Sequence, residues 1–185
     1  MSVNILTDLA VLGITHHRPL AIGQVASIAK SLVPELWNPT NSVIFSAVRR
    51  NIQINYLKKE KIGKKSYNIK LTKKGHVQLQ NLLLCDPGEL VSPTTQAVEA
   101  IQFCLLDAAS PPTAEMVLIR LQNRQRKRLE DLQHRCLNYP HNGRYLNLWM
   151  GMEQRRIAAA EQMLTMIYKE AKNLILTNNF SKLTN

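Results

Sequence analysis

Apolar residues recur at helical spacing in three short segments at the start of the chain. Between residues 4 and 15 they lie three or four positions apart, as on one face of an α-helix. The stretch 16–19 ends in proline, which disfavours a helical residue before it, and so closes this first helix. A second helical pattern covers 22–32. The polar stretch 38–42 offers N-caps for a third helix that ends at residue 54.

The polarity pattern changes its period after the third predicted helix. Residues 55–59 and 66–71 alternate loosely between polar and apolar side chains, and the basic, glycine-containing segment 60–65 separates them. This arrangement predicts a β-hairpin. Thr72 follows as a candidate N-cap for a fourth helix, because apolar residues return to helical spacing beyond it. Three helices followed by a basic hairpin is the order of elements in a winged helix-turn-helix.

The second half of the chain predicts a linker and long helices. Residues 84–95 are rich in turn-forming residues, and a short helical pattern beyond them ends at two prolines. Two long helical patterns follow, at about 113–137 and 144–176. Because a domain this small cannot cover helices of that length, we expect an antiparallel pair that packs against a second copy of the chain.

The predicted fold is mainly α with a small β-hairpin wing. We assign residues 1–84 to an N-terminal winged helix-turn-helix domain and residues 85–95 to a linker. Residues 96–185 form the predicted C-terminal domain, an antiparallel pair of long helices that serves dimerisation.

The charge of the chain is unevenly distributed. The 185 residues carry a formal net charge of +11, which indicates a polyanionic partner such as nucleic acid or an anionic membrane surface. Residues 1–84 hold 12 Lys and Arg against three acids, whereas residues 85–185 hold 12 against ten. Ten of the basic residues lie within 41–76, where Glu60 is the single acid. We therefore expect the third helix and the hairpin to bind the polyanion.

A helix that enters the major groove of DNA packs its inner face on its own domain and presents hydrogen-bond donors on its outer face. The candidates on the outer face of the third helix are Asn41, Ser42, Ser46, Arg49, Arg50 and Gln53. The hairpin would lie along the DNA backbone or reach into the minor groove, where charge matters more than sequence. Its candidates are Lys58, Lys59, Lys61, Lys64, Lys65 and Tyr67, and a packing role is the equal alternative for Tyr67.

Several stretches resemble the PadR family of transcriptional regulators. Residues 9–14 and 18–25 are similar to the first two helices of that family, and Ile44–Arg50 is similar to its recognition helix. Leu71–Gly75 resembles the motif that closes the wing and begins the fourth helix. The linker, the proline break and the two long helices resemble, in architecture, the C-terminal region of the subfamily that includes virulence-gene activators.

The chain departs from the family pattern at three positions. Gln24 stands where the family has an aromatic residue, Asn51 falls near a position usually taken by leucine, and Asn55 replaces a glycine. The last change is physically mild, because asparagine adopts positive φ more readily than other non-glycine residues.

Pattern and resemblance together imply a sequence-specific DNA-binding transcriptional regulator. We expect it to bind double-stranded DNA as a homodimer, at a pseudo-palindromic operator. The alternative is a winged-helix protein used for RNA or protein contacts in a larger assembly. An enzyme is not expected, because the sequence has no paired carboxylates, nucleophile elbow, P-loop or glycine-rich dinucleotide motif.

The cysteines, the apolar runs and the last helix limit which metals, membranes and small molecules we expect the protein to bind. Cys85, Cys104 and Cys136 are odd in number and widely spaced, so neither a disulfide framework nor a zinc site is expected, and we expect no metal and no cofactor. The sequence has no signal peptide or membrane-length apolar run, which indicates a cytoplasmic protein without membrane partners. Resemblance also suggests a pocket for a small hydrophobic or aromatic effector, or else a dimer interface, at three residues of the last helix: Tyr145, Trp149 and Met152.

Overall fold

The computed structural model describes residues 3–63, 66–90, 92–138 and 143–183. Within these ranges the chain forms seven α-helices and one β-hairpin. Their bounds are α1 Val3–Ile14, α2 Ile22–Leu32, α3 Asn41–Gln53, β1 Leu57–Lys61, β2 Tyr67–Leu71, α4 Lys73–Leu84, α5 Pro93–Cys104, α6 Pro111–Asn138 and α7 Arg144–Leu183. The predicted fold class, mainly α with a small β-hairpin, is confirmed.

Three local differences separate the observed elements from the predicted ones. Glu60 and Lys61 belong to β1 rather than to the turn of the hairpin. The prolines expected to break the chain instead begin α6, since the first helical position needs no backbone N–H donor. Helix α7 also ends later than predicted, at Leu183.

The chain divides into two compact units, of which the first runs to Ala114 and the second begins at Glu115. The first unit is built around α1, which packs against α2, α3, α4 and α5. Its core includes Leu9 and Leu12 of α1, Ile44 of α3 and Leu79 of α4, all of them fully buried. The buried faces of α2, α3, α4 and α5 therefore pack around α1.

Helix α5 belongs to the first unit, although the sequence assigned it to the C-terminal domain. The Gln102 side chain, in the last turn of α5, donates hydrogen bonds to the carbonyl oxygens of Leu82 at 3.2 Å and Cys85 at 3.0 Å. Thr95 Oγ1 donates to the Pro87 carbonyl at 2.9 Å. These bonds fasten the segment predicted as a linker, so the compact unit continues past the predicted boundary.

The wing is an antiparallel hairpin in which Leu57 pairs with Leu71 and Lys61 pairs with Tyr67. Leu20, between α1 and α2, forms an isolated antiparallel β-bridge with Ile69, with N to O distances of 3.0 and 2.7 Å. Leu57, Ile69 and Leu71 are buried. One face of the hairpin thus closes the core, and its charged residues are left at the surface.

The junction between α3 and the wing is held at the start of α4. Asn55 adopts φ 63°, a conformation that asparagine tolerates well. Thr72 caps α4 as predicted, because its Oγ1 accepts the N–H of Gly75 at 3.0 Å. The Tyr56 carbonyl in turn accepts both the N–H and the hydroxyl of Thr72, at 3.0 and 3.1 Å. The direction of the chain from α3 into β1 is fixed by this set of bonds.

Helices α6 and α7 form the second unit as an antiparallel pair. Gln122 bonds Thr165 at 2.6 Å, and Arg126 bonds Glu161 at 2.6 Å, so residue numbers rise on one helix as they fall on the other. The apolar side chains buried in this unit are Val117, Leu118, Leu121 and Leu132 of α6 and Met150, Ile157 and Leu164 of α7. The three α7 residues are spaced by seven, as in a coiled-coil seam.

Candidate nucleic-acid interface

The outer face of α3 is a stripe of exposed polar side chains. Ser42, Ser46, Arg49 and Gln53 are spaced four, three and four residues apart and are all exposed, as is Asn41 at the start of the helix. The opposite face, which includes Ile44 and Val48, is buried. The structure therefore places five of the six candidates of this helix where the sequence predicted them, and we name these five residues the α3 stripe.

Arg50 is the exception, and its orientation corrects the prediction. Its Nη2 donates to Asp8 Oδ1 at 2.6 Å and to Thr7 Oγ1 at 3.3 Å. The side chain is 34% exposed. Because the guanidinium turns toward an acid on α1, Arg50 does not project outward with the α3 stripe.

Asn51 is a polar residue at a fully buried position of α3. Its Nδ2 donates to Asp8 Oδ1 at 2.6 Å and to the Ala47 carbonyl at 2.8 Å. The departure from leucine at this position therefore has a partner on α1. Asp8 was not among the predicted site residues, although it is the single acid of α1.

The wing exposes Lys58, Lys59 and Lys61. The Nζ of Lys59 lies 4.6 Å from the centroid of the Tyr67 ring, close enough for a cation–π contact. Tyr67 is itself exposed. Two further candidates, Lys64 and Lys65, lie outside the described residues.

Three more basic residues extend the charged surface of the wing and were missing from the predicted set. Lys70 on β2 bonds Glu60 at 3.1 Å, so the one acid of the hairpin is paired. Lys73 and Lys74, in the first turn of α4, are exposed. Lys74 Nζ also donates to the Ile54 carbonyl at 3.2 Å. Their position directly after the hairpin was the signal that could have included them.

A group of three histidine rings lies where the end of α1 meets α4. The His16 ring centroid is 5.0 Å from that of His17 and 5.1 Å from that of His76. Burial lowers the pKa of His16, and the nearby His17 and His76 lower it further. Across the described ranges, no group of three or more His, Cys, Asp or Glu side chains has the geometry to hold a metal ion.

In the second unit, α7 carries a row of exposed apolar side chains. Tyr145, Trp149 and Met152, the candidate pocket or interface residues, are 82%, 55% and 65% exposed. Met163 and Met166 continue the row and are also exposed. Met150, Ile157 and Leu164 form the buried side of the same helix. Along the described helices, none is long and apolar enough to cross a membrane.

Comparisons with known proteins give structural matches only. No family model matches the chain, and no curated protein matches it. The chain is similar to Bacillus subtilis PadR in complex with p-coumaric acid, with 14% identity, coverage of 93% of this chain and 98% of that one, and a TM-score of 0.41. It is similar to Bacillus subtilis PadR in complex with operator DNA, with 16% identity, coverage of 89% and 98%, and a TM-score of 0.38.

A PadR-like transcriptional regulator from Bacillus cereus is a further match, with 12% identity, coverage of 90% of this chain and 98% of that one, and a TM-score of 0.40.

Proposed function

We propose that this protein is a sequence-specific DNA-binding transcriptional regulator of the PadR type, which binds a pseudo-palindromic operator as a homodimer. The observation that carries the proposal is the α3 stripe, a row of exposed hydrogen-bonding side chains on a helix whose other face is buried. This stripe stands beside a hairpin with three exposed lysines. In a protein–DNA interface, base contacts specify the sequence and phosphate contacts position the protein. The α3 stripe can make the base contacts, and the basic wing can make the phosphate contacts.

In this proposal α3 enters the major groove. Arg49 is the residue best suited to reading a base, since its guanidinium can donate two hydrogen bonds to the O6 and N7 of guanine. Ser46 and Gln53 lie one turn away on either side and are exposed. Lys58, Lys59 and Lys61 contribute charge to the phosphate backbone, which positions the protein without reading sequence.

The exposed row on α7 supports the homodimer. Tyr145, Met152 and Met166 fall on one heptad position, and Trp149 and Met163 fall on another. Large apolar residues at heptad positions, interrupted here by Arg156 and Ala159, are the pattern of a helix that packs against another helix. In a closed two-fold dimer the same row meets its own copy. Two α3 helices related in this way would contact half-sites about 34 Å apart, or a multiple of that distance.

The same α7 residues bear on the proposed effector. Tyr145, Trp149 and Met152 lie on the exposed row, so we assign them first to the interface between two copies. An aromatic effector would then bind among them at that interface. Quenching of Trp149 fluorescence by hydroxycinnamic acids, absent in a Trp149→Phe variant, is the expected result if they bind there.

The direct test is a salt titration with DNA. Duplexes selected from a random pool by the protein are compared with unselected duplexes, and the specific site is expected to bind at least about 10³-fold more tightly. Arg49→Ala should weaken the selected site by about 1–3 kcal/mol and relax one base position. Lys58→Ala should weaken selected and unselected duplexes alike.

Arg155→Ala is the matched control, because Arg155 is exposed on α7 and bonds the Gly151 carbonyl of its own helix. It should leave the salt dependence unchanged. Tighter binding to structured RNA than to any duplex DNA would replace the proposal by the RNA-binding alternative. A flat salt dependence with every nucleic acid would refute both.

A further inference from the structure

Asp8 is the acidic residue of α1 that accepts hydrogen bonds from α3. It is one of three acids in the first 84 residues, and its side chain is 20% exposed. Its Oδ1 accepts hydrogen bonds from both Arg50 and Asn51, each at 2.6 Å. One carboxylate oxygen thus holds two consecutive residues of the helix that carries the α3 stripe.

We propose that Asp8 is a positioning residue of the DNA interface. By pairing with Arg50 it withholds one arginine of each protomer from the DNA phosphates, and by bonding Asn51 it fixes the rotation of α3. This inference rests on the proposed function and assigns a role in it to a residue of α1, outside the α3 stripe and the wing.

The Arg50 part of the proposal follows from its place on the helix. Arg50 lies four residues after Ser46 and three before Gln53, so it neighbours the α3 stripe on the helix surface. Its side chain is 34% exposed, and a change of rotamer is enough to turn it outward. The charge-assisted bond to Asp8 opposes that change. Without Asp8, Arg50 would be available to a phosphate, which every DNA sequence provides.

The Asn51 part follows from burial. The Asn51 side chain is fully buried, and one Nδ2 hydrogen is already used by the Ala47 carbonyl of the same helix. The second hydrogen reaches Asp8. Because each residue advances a helix by about 100°, a shift of one position would remove this donor from Asp8 and leave it buried without an acceptor. The hydrogen bond between Asn51 and Asp8 therefore keeps Arg49 on the outer face of α3.

The test is a double-mutant cycle read by salt dependence on unselected duplex DNA. Asp8→Asn keeps an oxygen for Asn51 and removes the charge that holds Arg50. One added phosphate contact per protomer steepens the slope of log K against log salt by about 0.9, which is about a fivefold gain in affinity at 0.15 M salt. In a homodimer the expected change is therefore about 1.8 in slope and about thirtyfold in affinity.

Two control experiments separate the release of Arg50 from a general effect of removing a negative charge. In an Arg50→Ala background, Asp8→Asn should leave the slope unchanged, because no arginine is released. Asp107→Asn removes the same charge from the exposed turn after α5 and should not steepen the slope in the wild-type background. A merely structural Asp8 would give weaker binding rather than a steeper slope and tighter binding.

A second variant covers the case in which Asp8→Asn does not fold. Asp8→Ala combined with Asn51→Leu replaces the acid and its buried amide partner together, so no buried donor loses its acceptor. It should give the same steeper slope. An unchanged slope in the folded variant, while the wild-type protein keeps its steep slope, overturns the inference and leaves the proposed function standing. Absence of salt-dependent DNA binding by the wild-type protein overturns both.

Discussion

Gly75 lies in the first turn of α4, against Tyr56 in the connection between α3 and β1. A Cβ atom at this position would overlap the carbonyl oxygen of Tyr56, and it would lie 2.7 Å from Leu71 Cδ1 and 3.0 Å from the Tyr56 carbonyl carbon. These distances are well below ordinary van der Waals contact. Two of the three nearest atoms belong to the backbone, so they cannot move away as the end of a side chain can. Gly75→Ala is therefore expected to destabilise the first unit.

The magnitude follows from what must move. The Tyr56 carbonyl accepts the N–H of Thr72 at 3.0 Å and its hydroxyl at 3.1 Å. Relief of the overlap displaces this carbonyl and weakens the bond from the Thr72 N–H, worth about 0.5–1.5 kcal/mol, whereas the hydroxyl keeps its shorter bond of 2.7 Å to the Asn55 carbonyl. Strain from the added methyl group contributes about 1–3 kcal/mol. We expect the free energy of unfolding to fall by about 1.5–4.5 kcal/mol, a large part of the 5–15 kcal/mol typical of a folded domain.

Urea unfolding followed by circular dichroism measures this change. Gly23→Ala is the matched control, because Gly23 lies in the first turn of α2 and a Cβ there meets no atom within 4 Å. That substitution should raise stability by up to about 1 kcal/mol, through the better helix propensity of alanine. If Gly75→Ala unfolds at the same urea concentration as the wild-type protein, the inferred close approach of α4 to Tyr56 is wrong.

Three further predictions concern the histidine group and α7. The pKa of His16 is lowered in the folded state, mainly by burial, so below a pH of about 6.5 the unfolded chain binds the additional proton and stability falls; His16→Gln should flatten the decrease of melting temperature between about pH 7.5 and pH 5. Met152→Arg should convert dimers to monomers in analytical ultracentrifugation, whereas Gln162→Arg, an exposed polar position on the same helix, should not. Ile157→Ala should cost about 2–4 kcal/mol of unfolding free energy because Ile157 is buried in the α6–α7 pair, while Gln162→Ala, at an exposed position outside the apolar row, should change it by less than about 0.5 kcal/mol.

The order of elements in the first unit could be predicted from local sequence. The three helices, the hairpin and the Thr72 cap all lie close to their predicted positions. Each depends on residues that are neighbours in the chain: three- and four-residue spacing for helices, alternation for strands, and a cap three residues from its donor. The exposed positions of the α3 stripe follow from the same periodicity.

The net charge of each half of the chain indicated the DNA-binding region less well than the positions of the basic residues did. The segment 85–114 contains four acids and no lysine or arginine. With the boundary at Ala114, the first unit carries 12 basic and seven acidic residues, and the second carries 12 and six. The two units therefore have similar net charge. What distinguishes the first unit is the cluster of basic residues within 41–76, a local feature that the sequence did reveal.

The sequence by itself determined which segments are helical, where the wing lies and which face of α3 is polar, since these depend on periodicity within a few residues. Tertiary structure alone decided the orientation of Arg50, because its partner Asp8 is 42 residues away in the chain. It also decided which of the two apolar rows on α7 is buried. Met150, Ile157 and Leu164 are buried, whereas Tyr145, Met152 and Met166 are exposed. Periodicity identifies an apolar row, but the row that is covered depends on where a distant helix packs.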